Sequence, residues 1–123
     1  IRENTGLLAY SPLGFGVLSG KYLDGKMPEN SRLKLFPNLS RFAGKQSMKA
    51  TQMYMEIANK YGVSLTQMSL AFVNSKPFVS SNIIGASKLN QLKENIASIN
   101  LNLSEEVFKE IENVQSLIPN PAP

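Results

Sequence analysis

The chain of 123 residues contains no cysteine and no histidine. Disulfides, thiolate chemistry, zinc sites of the usual kind and every histidine-dependent mechanism are therefore excluded within it. A cytoplasmic setting fits the absence of cysteine. No apolar run approaches the roughly 18 residues that would span a bilayer, so no membrane insertion is expected. The opening Ile1-Arg2-Glu3-Asn4-Thr5-Gly6 lacks the basic-then-apolar order of a signal peptide. It also lacks an initiator methionine, which points to a fragment, a processed product or a truncated chain. There is no internal repeat and no low-complexity segment.

What is present is the composition of one ordinary domain: 42% hydrophobic and 18% charged residues. The net charge of +4 is unevenly spread. Lys21, Lys26, Arg32, Lys34, Arg41, Lys45 and Lys49 crowd one stretch against Asp24 and Glu29, while Glu105, Glu106, Glu110 and Glu112 make the tail acidic. Such a basic stretch fits an anionic ligand and equally a solvated, lysine-rich loop. No aromatic and basic interleaving of a nucleic-acid module accompanies it, so nucleic acid is not an expected partner.

The order of elements reads α/β with parallel strands. Leu7-Leu8-Ala9-Tyr10 is a short apolar run that predicts a buried strand, ended by Ser11-Pro12. A glycine-rich loop follows, then a long segment from Tyr22 to Gln46 without clear period. Met53, Ile57 and Tyr61, broadened by Ala50, Tyr54 and Ala58, predict a helix from Met48 that Gly62 closes. Ser64-Leu65-Thr66-Gln67 is a capping box for a second helix that stops before Pro77. Ser81-Asn82-Ile83-Ile84-Gly85 predicts a second strand, centred on Asn82–Ile84 and parallel to the first. A helix over Lys88 to Ser98 carries Leu89, Leu92 and Ile96 on one face, and Ser104 caps the last helix, with Glu105 and Glu106 in its first turn. The end, residues 117–123, is an irregular tail. Two strands do not make a stable parallel sheet, so the chain is expected to be incomplete as a fold.

Two constellations carry candidate chemistry. After the second strand, Gly85 admits a close ligand, while Ser87 and Lys88 stand at a helix start suited to phosphate. Gln91, Glu94 and Asn95 follow Ser87 at i+4, i+7 and i+8 and share a polar face that can read a base and its sugar. The same residues also suit an ordinary N-cap and a solvated face. After the first strand, Tyr10-Ser11-Pro12-Leu13-Gly14-Phe15-Gly16 and Ser19-Gly20-Lys21 offer glycines, hydroxyls and a cation able to wrap a pyrophosphate. This loop matches neither the Walker pattern nor a dinucleotide GxGxxG, and a flexible connection would read alike.

Taken as a pair, these segments resemble the aldo-keto reductases. Leu8-Ala9-Tyr10-Ser11-Pro12-Leu13-Gly14 to Ser19-Gly20-Lys21-Tyr22 is similar to that family's seventh strand and following loop. Ile84-Gly85-Ala86-Ser87 to Gln91-Leu92-Lys93-Glu94-Asn95 is similar to its eighth strand and last barrel helix. Leu13-Gly14-Phe15-Gly16, Phe36-Pro37-Asn38-Leu39-Ser40-Arg41-Phe42 and the Pro-Ala-Pro ending look nearest to the bacterial Tas-type branch, with the potassium-channel β subunits a related one.

The resemblance implies the carboxy-terminal half of a (β/α)₈ barrel, strands 7 and 8 with their helices, and NADP(H) as cofactor. It implies Tyr10 against the nicotinamide, with Ser11, Pro12, Leu13, Gly14 and Gly16 along the pyrophosphate and Lys21 reaching it. Arg32 would serve the adenine side; Gly85, Ser87 and Lys88 would form the 2′-phosphate end, and Gln91, Glu94 and Asn95 would address the adenosine. Many relatives carry arginine where this chain has Lys88. The family's Tyr, Lys, Asp and His catalytic set has no counterpart here, so the chain alone is expected to be inactive toward a carbonyl substrate. It is also expected to self-associate or to need an amino-terminal half. A nucleotide-sensing subunit like the channel β subunits is the alternative reading.

Overall fold

The frame is a pair of short strands that run the same way. In the computed structural model, which describes residues 5–37 and 42–122, strand β1 (Leu7–Tyr10) pairs in parallel with strand β2 (Val79–Ile83). The predicted parallel pairing is present. The second strand begins earlier than the apolar run Ile83-Ile84 implied, because pairing starts at Leu7 with Val79 and then slips. Leu8 already faces Ser81, so Ser80 is an extra residue in β2. The strands read as buried, yet Leu7, Leu8, Tyr10 and Ile83 are exposed. Ala9 and Asn82 are partly covered, and the Asn82 Nδ2 donates to Asn74 Oδ1 at 3.1 Å.

Between the strands lie helices α1 (Arg32–Leu35), α2 (Lys45–Lys60) and α3 (Leu65–Asn74). After β2 come α4 (Leu89–Ala97), a 3₁₀ turn at Ser98–Asn100 and α5 (Glu105–Leu117). Helix α2 starts at Lys45, before the predicted Met48, and ends where Gly62 takes φ +68°. The Val63 N–H then binds Ala58 O at 3.0 Å, which closes the last turn. Ser64 caps α3 by accepting the Gln67 N–H at 3.0 Å. The return half of the expected capping box is absent, because the Gln67 side chain instead donates to Glu94 O at 3.4 Å. Ser104 caps α5 as expected.

Helices α2, α3 and α5 share the main core of Ala50, Ile57, Ala58, Leu65, Met68, Val107, Ile111, Val114 and Ile118. A smaller cluster of Val17, Tyr22 and Leu33, with Phe42, Ala43 and Met48 against it, underlies the long loop. The Tyr22 hydroxyl accepts the Leu33 N–H at 3.3 Å, so that loop is tied down at its middle. Asn38, Leu39, Ser40 and Arg41 of the Phe36–Phe42 segment, and the final Pro123, lie outside the described residues.

The face of α4 is inverted relative to a core-facing helix. Leu89 and Ile96 are 67% and 57% exposed, whereas Asn95 is only 5% exposed. The polar side meets the start of α3, and the apolar stripe is left exposed.

Candidate functional site

Two loops leave the same edge of the sheet. Tyr10 stands opposite Ile83 in the parallel register, so the chain beyond each residue emerges at the carboxyl ends of the strands. In α/β sheets this is the edge at which ligands bind.

The first loop is a run of tight turns. Ser11 takes φ +54°, and its carbonyl accepts the Gly14 N–H at 2.9 Å. The Leu13 carbonyl accepts the N–H groups of Gly16 (2.9 Å) and Leu18 (3.1 Å). Phe15 and Gly16 are left-handed, at φ +56° and +91°. A Cβ on Gly16 would stand 2.8 Å from the Lys21 Nζ, so the ammonium lies directly against this backbone. The same ammonium is 5.2 Å from the Tyr22 ring centre. The Arg32 guanidinium lies 5.4 Å from the centre of the Phe15 ring. Phe15 in turn meets Phe42 edge to face, 5.0 Å between centres.

Both cations lack a carboxylate among the described residues. The nearby acids are already engaged, Asp24 with Lys26 and Glu29 with Lys34. Two cations laid on aromatic rings beside a glycine-rich turn give this stretch a positive surface suited to an anion. Tyr10 stands at the head of this loop and is 74% exposed. Sequence patterns missed Phe15 and Phe42 as partners. The signal was Gly-Phe-Gly, where a large side chain interrupts glycines.

The second loop is open. Nothing lies within 4 Å of a Cβ placed on Gly85. Helix α4 starts one residue later than expected, so the cap position falls on the extended Lys88 (φ −134°, ψ 146°), which gives the helix start no side-chain hydrogen bond. Ser87 is not the cap. Its N–H and its hydroxyl both donate to Gln91 Oε1, at 3.2 and 3.3 Å. Two donors therefore converge on one acceptor position at the mouth of the helix.

The remaining residues of the polar face turn the other way. Glu94 Oε1 accepts the Ser64 hydroxyl at 2.6 Å, and Asn95 is buried. The start of α3 links the two loops: Ser64 holds Glu94, while Leu65 lies 3.8 Å from the Cβ position of Gly20. The structure thus groups Tyr10 to Gly16 with Lys21 and Arg32 on one loop system. It groups Gly85, Ser87, Lys88 and Gln91 on the other.

One further polar cluster lies between α2 and α5. Glu110 Oε1 accepts both the Tyr61 hydroxyl (2.8 Å) and the Lys60 ammonium (2.5 Å). The hydrogen bonds to Glu110 raise the pKa of Lys60 and of Tyr61, and those from Lys60 and Tyr61 lower that of Glu110. A tyrosine acting as general acid near neutral pH would need the opposite shift. The cluster is a clasp between two helices. Among the described residues no group of three acidic side chains could hold a metal ion, and no helix is long and apolar enough to cross a membrane.

The pattern described as "Aldo/keto reductase family" matches residues 2–116. The chain is 49% identical over 121 residues to "Protein tas" of Escherichia coli (strain K12), covering 98% of this chain and 35% of that protein. It is 35% identical over 121 residues to a "Putative voltage-gated potassium channel subunit beta" of Schizosaccharomyces pombe, covering 93% and 35%. It is 33% identical over 103 residues to the "L-glyceraldehyde 3-phosphate reductase" of E. coli K12, covering 80% and 30%. The chain thus spans about a third of the length of these relatives, less than the half that the sequence resemblance implied.

Proposed function

This chain belongs to the aldo/keto reductase family, and on that footing we propose that it supplies the NADPH-binding part of an oxidoreductase that moves hydride between NADPH and a carbonyl. Strands β1 and β2 are the seventh and eighth of a (β/α)₈ barrel in this reading. The observation that carries it is the placement of Lys21 against Gly16 and Arg32 against Phe15. Neither cation has an acid partner among the described residues, and both lie in the segment between β1 and α2, Lys21 in its first loop and Arg32 at the start of α1. The open backbone at Gly85 and the paired donors of Ser87 follow β2 at the carboxyl edge of the strands.

The group fits these residues. When bound, NADPH supplies the hydride. Tyr10 offers its exposed ring to the nicotinamide at the strand end. Ser11, Pro12, Leu13, Gly14 and Gly16 would line the pyrophosphate, the buried Gly14 by shaping the turn, and Lys21 would balance its charge. Arg32 meets the adenine side. Ser87 and Lys88 would receive the 2′-phosphate, Ser87 by releasing Gln91, which would then be free for the adenosine; Glu94 and Asn95, held against α3, would reach the adenosine only by leaving those contacts. Histidine is absent, and in this reading none of the chain's tyrosines is the family's general acid. Proton transfer to the carbonyl therefore belongs to residues outside this chain.

Cofactor preference tests the reading. Ser87→Ala and Lys88→Ala, made in the natural gene product that carries this chain, weaken NADPH by about tenfold or more and leave NADH nearly unchanged. A charge-assisted contact of roughly 1.5–3 kcal/mol is lost only where the 2′-phosphate exists. Equal losses for both cofactors would mean that these residues only shape the helix start. Similarity to the channel β subunit of S. pombe supports a second reading, a nucleotide-responsive regulatory subunit with the same cofactor site. Turnover of small aldehydes by the complete protein separates the two.

A further inference from the structure

Phe15 has no task in the reading above, yet its geometry is demanding. A residue with a large side chain rarely adopts φ +56°, ψ 26°. The turn itself does not need phenylalanine. Its hydrogen bonds run from Gly14 to Ser11, and from Gly16 and Leu18 to Leu13, and glycine at position 15 would leave all of them intact. The reason for the ring lies in what it touches. One edge is braced by Phe42 at 5.0 Å and 79° between planes. One face carries the Arg32 guanidinium, 5.4 Å from the ring centre.

Arg32 is exposed, at the start of the short helix α1, and has no acid partner among the described residues. A free arginine of this kind loses much rotamer freedom when it binds a ligand. A ring beneath the guanidinium removes part of that freedom beforehand. It also leaves the N–H donors at the guanidinium edge available.

We propose that Phe15 is a positioning residue for Arg32: its ring, braced by Phe42, holds the guanidinium in place before the dinucleotide arrives. This deepens the proposed function and rests on it. Phe15 itself makes no contact with the ligand.

A double-mutant cycle on NADPH affinity tests it, in the natural gene product that carries this chain, with NADPH fluorescence as readout. Phe15→Gly removes the ring but keeps the left-handed turn, so it separates ring from backbone. Phe15→Tyr keeps the ring and serves as the conservative control. Phe15→Gly raises the NADPH dissociation constant about three- to fivefold, the size of one cation–ring contact. Phe15→Tyr stays within about twofold. In an Arg32→Ala background, Phe15→Gly changes affinity less than about twofold, because the effect passes through Arg32. In the enzyme reading the Michaelis constant for NADPH rises while turnover at saturating cofactor holds. Equal losses with and without Arg32 would overturn the positioning role. A wild-type protein that never saturates with NADPH would remove the proposed function and this inference together. Saturation without coupling would remove this inference alone.

Discussion

Gly16 carries two constraints at once: a backbone at φ +91° and the Lys21 ammonium 2.8 Å from where a Cβ would stand. Gly16→Ala costs about 1–2 kcal/mol through the left-handed backbone alone. It also pushes Lys21 off the turn, so NADPH affinity falls further than a loss of folding stability explains. Denaturant titration beside an NADPH titration checks this; full affinity in the folded variant would contradict it. Glu110 makes a second residue-scale case. Its depressed pKa means that its contribution is present above the unfolded value near 4.5 and is lost as pH falls through the folded value. Lys60 and Tyr61, both raised, contribute below their unfolded values and lose that contribution only at strongly alkaline pH. The melting temperature of wild type therefore drops from pH 6 to pH 3 more steeply than that of Glu110→Gln. Parallel curves would contradict the clasp. At this scale the sequence displayed the glycines and the two cations but not their partners. Phe15 and Phe42 are far apart in the chain, and only folding brings a ring under Arg32.

Helices were legible because their signals are local. The spacing of Met53, Ile57 and Tyr61, the closing Gly62 and the caps Ser64 and Ser104 all act within a few residues. Strand limits depend on a distant partner, and the slip at Ser80 is written in the pairing of β1 with β2 rather than in either segment. Helix α4 shows the same limit. Its amphipathic pattern was visible, but which side meets α3 was decided by Ser64 and Gln67, whose bonds to Glu94 draw the polar side inward. Ser64 thus serves two elements, as the cap of α3 and as the anchor of α4. Ser64→Ala costs about 1 kcal/mol for the cap, and somewhat more if the link to Glu94 contributes. Chemical denaturation gives the total, and hydrogen exchange of α4 amides shows whether that helix loosens with it. A change confined to α3 would mean that the Glu94 contact holds nothing in place.

At the scale of the molecule the open apolar surface decides behaviour. Leu7, Leu8 and Ile83 on the strands join Leu89, Leu92, Ile96 and Ile99 from α4 onward as exposed large hydrophobic side chains. Unpaired strand edges and contiguous apolar patches drive association. The isolated 123-residue chain therefore self-associates in sedimentation at micromolar concentration, and it shows no NADPH-dependent carbonyl turnover. A cooperatively unfolding monomer, or turnover abolished by mutating one of the chain's own residues, would contradict these expectations.

The claim that both loops hold one dinucleotide is tested most directly by amide hydrogen exchange on the natural gene product, with and without NADPH. Slowed exchange in residues 11–21 and 85–95 together, at the same cofactor concentration, is the predicted result. Protection of only one of the two segments, or of neither while NADPH is bound, would contradict it.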